Sequence, residues 1–289
     1  MAEPSPGAPS PLEIGGVRFE WGSRTFVMGI INATPDSFSG DGIFSAEGTV
    51  DPAAAVQRAL AMVEAGADLI DIGAESTRPD FPAVDADEEW RRLELVIRAV
   101  RRALSGTPMT VDTSKASVAE RALAAGADAV NDVRGFLGDP EIAGVVARAG
   151  APAIVMHNQR GRTFGGDVIA DVRAGLEASI AVATAAGVPR ASLILDPGFG
   201  FGWGPVQSLE MLRRLGELRD LGRPVLIGTS RKSAIGYVID RPPQERLWGT
   251  AATVALAIQQ GVDIVRVHDV EEMTQVARVA DAVVRGNVP

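Results

Sequence analysis

The sequence contains no cysteine among its 289 residues. This absence excludes disulfides, zinc–thiolate sites and thiol nucleophiles, and it leaves the redox compartment undecided. Long apolar runs are also missing, since none approaches the roughly 18 residues that span a bilayer. The N-terminus has no basic-then-apolar signal segment. We therefore expect no membrane association and a cytoplasmic location.

Basic residues are fewer than acidic ones in this chain. The chain has 28 lysine and arginine residues against 37 acidic ones, which gives a formal net charge of −9. This balance argues against a general nucleic-acid binder or an anionic membrane as partner, because both need a basic surface. An anionic substrate would therefore need a local basic pocket.

A pattern of apolar strand followed by amphipathic helix recurs eight times along the chain. The predicted strands are 26–32, 68–74, 109–113, 128–133, 152–157, 193–198, 224–229 and 264–269. Strands this apolar are typical of a parallel sheet covered by helices. Eight such units over about 250 residues of the chain favour a closed barrel.

The competing architecture is an open doubly wound sheet. Its first turn would normally read GxGxxG, whereas the turn here is Asn32-Ala-Thr-Pro. We therefore predict an α/β fold, a (β/α)₈ TIM barrel with a short N-terminal hairpin between residues 12 and 25. We expect residues 1–12, which hold four prolines, to be a disordered lead, and residues 13–289 to form a single domain.

Polar side chains lie at the carboxyl ends of the predicted strands, where barrel enzymes place their catalytic groups. They are Asn32, Asp71, Asp112, Asn131, His157, Asp196, Lys232, Arg266 and His268. Each taken alone is more often a helix cap, a turn former or a satisfied structural residue. Their convergence indicates a ligand, because an opening lined by carboxylates, amides and cations is costly to desolvate without one.

The cations at these strand ends indicate an anion site. Arg266 and His268 are two residues apart and share one face of a strand, so both can reach the same phosphate or diphosphate. Lys232 would act as a point donor. It is one of two lysines, with Lys115, in a chain that has 26 arginines. In such a chain a lysine is retained either because a compact ammonium is needed at that place or by chance.

The carboxylates and amides suit a different ligand group. Asp112, Asn131 and Asp196 together present the donor and acceptor pattern of a pocket for a flat, nitrogen-rich heterocycle. No cluster of carboxylates forms an all-protein metal cage. Mg²⁺, if used, would be coordinated mainly by substrate phosphates, with Asn32 as its main protein contact.

Seven segments resemble the motifs of bacterial dihydropteroate synthases, in order and in register. They are 32–39, 71–79, 111–114, 131–133, 195–202, 230–233 and 265–269. The resemblance implies a (β/α)₈ transferase of folate biosynthesis that uses Mg²⁺ and forms a homodimer. Its reaction joins p-aminobenzoate to 6-hydroxymethyl-7,8-dihydropterin diphosphate and releases diphosphate and 7,8-dihydropteroate.

The resemblance also implies a role for each matching residue. The expected pterin-binding residues are Asp112, Asn131, Asp196, Lys232 and Arg266. The expected diphosphate-binding residues are Asn32, Arg266 and His268, with Asn32 also the metal contact. The expected p-aminobenzoate-binding residues are Thr77, Arg78, Pro79, Phe199 and Ser233. The expected catalytic residues are Asp36, Lys232, Arg266 and His268, with Asp36 facing the cation that develops as diphosphate leaves.

Three loops depart from the family's pattern. Trp203 continues the glycine-rich run where the family usually has a lysine next. The second loop reads Arg78-Pro-Asp80 in place of the usual Pro-Gly, and the first reads Ser39-Gly-Asp-Gly. None of these changes removes a residue assigned above.

Two other functions are alternatives to the synthase. A methyltransferase of the same pterin-binding superfamily would share the heterocycle pocket, but it has no evident use for Lys232 and Ser233 beside a diphosphate site. A catalytically silent paralogue would bind only a pterin or a partner. The presence of Asn32, Asp36 and Arg266 argues against that second alternative.

Overall fold

The structure is a computed structural model that describes residues 9–34, 50–75 and 84–286. The predicted site residues Asp36, Thr77, Arg78 and Pro79 lie outside the described residues, as does most of the predicted N-terminal lead. The division into a lead and one domain stays a prediction.

An antiparallel hairpin precedes the barrel, as predicted. It pairs β1 (Leu12–Ile14) with β2 (Val17–Phe19) around Gly15-Gly16. Both glycines have positive φ, 56° and 78°, the combination that a two-residue type I′ turn requires and that glycine adopts without steric cost. The short hairpin is therefore specified by its own turn.

Eight parallel strands form the body of the fold. They are β3 (Phe26–Asn32), β4 (Leu69–Gly73), β5 (Met109–Asp112), β6 (Ala129–Asp132), β7 (Ala153–Met156), β8 (Leu193–Asp196), β9 (Leu226–Ile227) and β10 (Ile264–Val267). Hydrogen-bonded neighbours run in the order β8-β7-β6-β5-β4-β3-β10-β9. A parallel bridge between Leu195 and Val225 joins the two ends of this sheet, so the predicted (β/α)₈ barrel is confirmed.

Helices follow every strand of the barrel. They are α1 (Pro52–Glu64), α2 (Ala86–Ala103), α3 (Ala116–Ala125), α4 (Ile142–Ala149), α5 (Val168–Ala185), α6 (Pro205–Arg213), α7 (Ser233–Ile239), α8 (Leu247–Gln259) and α9 (Val270–Arg285). Asp51 caps α1, and its carboxylate accepts from the backbone amides of Ala53 and Ala54. Among these described helices, we find none with both the length and the apolar character needed to cross a membrane.

Two hydrophobic clusters explain why the strands are apolar on both faces. The larger cluster lies between the outward faces of the strands and the helices. The smaller one fills the barrel interior on the side of the N-terminal hairpin, with residues such as Met28 and Ile154. The hairpin closes this end, since the rings of Phe19, Trp21 and Phe26 lie 4.8–5.5 Å apart beneath it. The opposite end of the barrel, where the strands end in polar residues, is the candidate location of the functional site.

Candidate active site

The carboxyl ends of four strands bring together a connected set of charged side chains. Asp71 on β4 is fully buried, and its Oδ2 accepts from Nε of Arg266 at 2.6 Å and from Nδ2 of Asn131 at 3.0 Å. Its Oδ1 accepts from the hydroxyl of Thr110. Nη2 of Arg266 donates to Oδ2 of Asp112 at 2.9 Å. One guanidinium therefore bridges two carboxylates.

Strand register accounts for this arrangement. Asp71 lies opposite Thr110 across the pair β4–β5, and Asp112 lies opposite Asn131 across β5–β6. Because side chains alternate along a strand, positions 110 and 112 share a face. Burial raises the pKa of Asp112, and the negative charge of Asp71 raises it further, while Arg266 acts in the opposite direction. The proposed heterocycle pocket therefore holds a carboxyl that a proton or a hydrogen-bond donor stabilises.

Asp196 and Lys232 form a second charged pair at the opening. Burial raises the pKa of Asp196 to about 6, and the amide of Gly198, which donates to its Oδ1 at 2.8 Å, opposes the shift. Burial lowers the pKa of Lys232 to about 7, and Asp196 opposes that shift. Both groups therefore change charge near neutral pH, the range in which acid–base and binding groups are useful.

The glycine-rich turn after β8 shapes the surroundings of Lys232. Nζ of Lys232 donates to the carbonyl oxygen of Phe199 at 2.6 Å and lies 4.0 Å from the ring centroid of Phe201. Gly200 has φ of 78°, and a Cβ there would come within 3.1 Å of the lysine side chain. The turn can pass this close to the lysine because glycine stands at its tightest point.

His268 is held by a serine of the neighbouring loop. Its Nδ1 lies 2.9 Å from Oγ of Ser230, and its backbone amide donates to the same oxygen at 3.3 Å. Arg231 and Asp269 form a bidentate ion pair between the same two loops. Arg231 has φ of 57°, a strained value that this pairing helps to maintain. The two loops that carry Lys232 and His268 are therefore fastened to each other.

The remaining predicted residues take different positions. Asn32 ends β3 beside Gly73 and is half-buried, and Ser233 begins α7 with an exposed side chain. The ring of Phe199 is buried in the larger hydrophobic cluster, so its carbonyl rather than its ring faces Lys232. Their proposed ligand contacts stay predictions.

His157 is a packed side chain at the end of β7. It is buried, and its Nε2 lies 3.0 Å from Oε1 of Gln159. The ring of Trp203, one of the departures noted in the sequence, is buried with its centroid 5.7 Å from that of His157. Burial lowers the pKa of His157. This environment agrees with the structural role that is commoner for a single histidine.

Three groups that matter here have no role predicted from the sequence. Asp71 and Ser230 belong to segments that resemble family motifs but have no predicted role, and the sequence predicts nothing for the carbonyl of Phe199. The motif around Lys232 was the one signal that pointed toward Ser230. For Asp71 the signals are its position at a strand end and its place at the start of segment 71–79.

A metal ion would find few protein ligands here. In the three described ranges, no three histidine, aspartate or glutamate side chains are grouped as a metal site. The amide oxygen of Asn32 is a hard donor of the kind that Mg²⁺ accepts. The donor set therefore fits a metal carried mainly by a substrate's phosphates rather than a resident cage.

A family model described as pterin binding enzyme matches residues 28–268. The chain belongs to the pterin-binding enzyme family. A dihydropteroate synthase from Synechocystis sp. is 47% identical over 284 residues, which cover 96% of each chain.

Solved members of the pterin-binding family share the fold. The dihydropteroate synthase of Clostridium difficile, crystallised in the presence of pteroic acid, is 47% identical with a TM-score of 0.86 over 92% of this chain and 99% of that one. The dihydropteroate synthase of Xanthomonas albilineans with 4-aminobenzoic acid is 39% identical, with a TM-score of 0.87 over 98% and 100%. Both similarities extend over nearly the whole barrel.

Proposed function

We propose that the carboxyl end of this barrel binds a dihydropterin diphosphate beside p-aminobenzoate and joins them. The activity is that of a dihydropteroate synthase, a transferase of folate biosynthesis that forms 7,8-dihydropteroate and releases diphosphate. The observation that carries this conclusion is the near full-length similarity to dihydropteroate synthases. The relatives therefore favour the synthase over the methyltransferase and the silent paralogue.

The pterin would lie against the connected carboxylates and amides. Asp112 and Asp196 would accept from ring N–H and amino groups, and Asn131 can both donate and accept. Burial raises the pKa of both carboxyls, so a donor that replaces water there would relieve an existing electrostatic cost. Lys232 would donate to an acceptor on the same ring, and Arg266 would stack on the ring face.

The diphosphate would leave beside Arg266, His268 and Asn32, which lie at the carboxyl ends of the paired strands β10 and β3. Negative charge develops on the leaving oxygens as the carbon–oxygen bond breaks, and fixed donors stabilise this charge without reorganising. Oγ of Ser230 lies 2.9 Å from Nδ1 of His268 and helps to orient the imidazole, which would contact the anion. When bound, Mg²⁺ supplies charge neutralisation on the diphosphate oxygens, and Asn32 is the residue that would hold it.

The aniline nitrogen of p-aminobenzoate would then bond to the pterin methylene that diphosphate has left, and it would lose one of its protons to water. This nitrogen is neutral and nucleophilic, so the step needs no strong base. Asp36 would balance the positive charge that spreads from the methylene into the ring. Thr77, Arg78 and Pro79, with Phe199 and Ser233, would bind the aminobenzoate, and these contacts are proposals that follow from the family's motifs.

A homodimer and a cytoplasmic location are also part of the proposal. Several large apolar side chains are exposed on helices that pack side by side, α7, α8 and α9. They include Tyr237, Trp248 and Val283, with 67%, 80% and 80% of their surface exposed. Clustered apolar exposure marks an interaction surface. Sedimentation of the wild type should give twice the chain mass, and Trp248→Glu should lower it.

Diphosphate release tests the proposed function directly. The protein is mixed with the dihydropterin diphosphate, p-aminobenzoate and Mg²⁺, and both diphosphate and dihydropteroate are followed. We expect the two products in equal amounts, with no dihydropteroate when aminobenzoate is omitted. Chelation of Mg²⁺ should slow release, and added Mg²⁺ should restore it. Release at background level under all conditions would overturn the proposal.

A further inference from the structure

One aromatic ring at the opening of the barrel contacts two cations. Cζ of Arg160, in the loop after β7, lies 5.0 Å from the ring centroid of Phe201, in the turn after β8. Nζ of Lys232, the residue before α7, lies 4.0 Å from the same centroid. An aromatic ring attracts a cation within about 6 Å of its centroid. The ring of Phe201 therefore brings together two like charges that repel each other.

Backbone contacts between the two loops hold Arg160 in this place. The amide of Gln159 donates to the carbonyl oxygen of Phe201 at 3.1 Å, and the amide of Arg160 donates to Oδ1 of Asn158 at 3.1 Å. A Cβ at Gly202 would lie 2.5 Å from the backbone nitrogen of Arg160, so any other residue there would push the loops apart. The approach of Arg160 to Phe201 is thus built into the backbone.

The charge of Arg160 is not balanced by a neighbouring acid. In the three described ranges of the chain its guanidinium forms no ion pair, whereas Arg266 pairs with both Asp71 and Asp112. Partial burial lowers the pKa of Arg160, and the positive charge of Arg134 in the loop after β6 lowers it further. Arg160 therefore acts on its surroundings as an uncompensated positive charge.

Lys232 is the group on which this charge acts. The charged groups that face Lys232 are Asp196 on β8, Asp112 on β5, Arg266 on β10 and Arg160. Burial lowers the pKa of Lys232 to about 7, the two aspartates oppose the shift, and the two arginines add to it. Arg266 cannot be removed without breaking its ion pairs with carboxylates of the pocket. Arg160 can be removed without that loss.

We propose that Arg160 governs the charge of Lys232 and thereby the range of pH in which the pocket binds a pterin. The inference rests on the proposed function, which assigns Lys232 to the pterin. Arg160 acts through Lys232, so it is a positioning residue. The ammonium of Lys232 is a stronger donor to a ring acceptor than the neutral amine, and the guanidinium of Arg160 disfavours it. Pterin affinity should therefore fall at a lower pH with Arg160 than without it.

The two lysines of the chain make the charge of Lys232 directly measurable. Protein that contains ¹³C-labelled lysine gives two Cε signals by NMR, and Lys232→Ala identifies the one that belongs to Lys232. Its titration midpoint should be near pH 7 in the wild type. Arg160→Gln should raise this midpoint by about half a pH unit, which is about a threefold change in proton affinity. The Lys115 signal serves as an internal control and should not change.

Calorimetry with a pterin ligand across the pH range measures the effect on binding. Wild-type affinity should fall above about pH 7 as Lys232 loses its proton. In Arg160→Gln the fall should begin at higher pH, so this variant should bind about twofold to threefold more tightly than the wild type at pH 8. The fall on the acidic side should stay where it is, because Asp196 sets it and Arg160 does not act on that group.

Two further variants separate charge from packing. Arg160→Lys adds a third lysine signal but keeps the positive charge, so the Lys232 midpoint should stay near the wild-type value. Arg162→Gln removes an exposed charge two residues along the same loop and should leave the midpoint and the binding profile unchanged. An equal shift in Arg160→Lys and Arg160→Gln would overturn the inference, since it would show that the shape of arginine matters and its charge does not.

The remaining outcomes also decide the question. An unchanged Lys232 midpoint in folded Arg160→Gln would overturn the inference. An equal shift in Arg162→Gln would overturn it as well, because it would indicate a general effect of surface charge. A wild type that binds no pterin would count against the proposed function, and the titration of Lys232 would still test the action of Arg160 upon it.

Discussion

Nε of Arg266 lies 2.6 Å from Oδ2 of Asp71, although the two residues are 195 positions apart in the chain. The same carboxylate oxygen accepts from Nδ2 of Asn131 at 3.0 Å. Asp71 is fully buried, so it acts on a ligand through its neighbours, of which Arg266 and Asn131 can reach the opening. It therefore positions a cation and an amide that we assign to the pterin.

Asp71→Asn should weaken pterin binding about tenfold, which corresponds to about 1.4 kcal/mol. The asparagine side chain lacks the charge that orients Arg266. Its NH₂ group would also face one of the two groups that now donate to Asp71, which are Arg266 and Asn131. Calorimetry with a pterin ligand measures this loss. Asp68→Asn is the matched control, because Asp68 precedes the same strand and bonds the amide of Val27 at the other end of the barrel. Equal loss in both variants would contradict a specific role for Asp71.

Lys232→Ala should weaken pterin binding by about 1–3 kcal/mol, the range for loss of a charged hydrogen-bond partner. Lys232→Arg should not restore it, because the close approach of Gly200 leaves little room for a guanidinium. Calorimetry again provides the measurement. Lys115→Met removes the chain's other lysine and should leave pterin affinity unchanged. Unaltered affinity in Lys232→Ala would show that this lysine lies outside the pocket.

The strands were predictable because their signal is local. An unbroken apolar run that ends in Asn32 fixed the first barrel strand at 26–32, which is the range of β3. The seventh strand was predicted at 224–229, but only Leu226–Ile227 form β9. Pro224 has no amide hydrogen, and the parallel ladder with β10 holds only two pairs, so the regular strand is shorter than the apolar run.

The contacts within the site were less predictable, because they depend on the stagger between distant strands. The sequence places Asp71, Asn131 and Arg266 at strand ends, but not in mutual contact. The direction of a side chain in an irregular turn is equally hard to predict from the sequence. Phe199 turns its ring into the core and its carbonyl toward Lys232, a choice set by glycines with positive φ on either side.

The pH dependence of Asp196 should have opposite signs for stability and for binding. Burial raises its pKa from 3.8 to about 6, so the folded protein favours the protonated form. The stability contributed by this group is therefore full below pH 3.8 and lost as the pH rises through 6. Asp196→Asn, which is neutral at every pH, should gain stability relative to the wild type over that interval.

Pterin binding requires the ionised carboxylate as an acceptor. Wild-type affinity should therefore fall as the pH drops below about 6, and Asp196→Asn should bind weakly at all pH values. Thermal unfolding and calorimetry across the pH range measure the two effects separately. A constant difference in melting temperature between variant and wild type would show that this carboxyl does not titrate in the range given.

Two helix glycines should respond in opposite directions to alanine. A Cβ at Gly175 in α5 would lie 1.9 Å from Nδ1 of the buried His157, whereas at Gly144 in α4 it would meet only the flexible end of Arg148 at 3.4 Å. Gly175→Ala should destabilise by about 1–3 kcal/mol through overpacking. Gly144→Ala should stabilise by roughly 0.5–1 kcal/mol, since glycine is a poor helix former. Denaturant unfolding measures both.

A smaller cost of Gly175→Ala in a His157→Ser background would assign the clash to the imidazole, because residues in contact give non-additive effects. The same cost in both backgrounds would show that α5 shifts away instead.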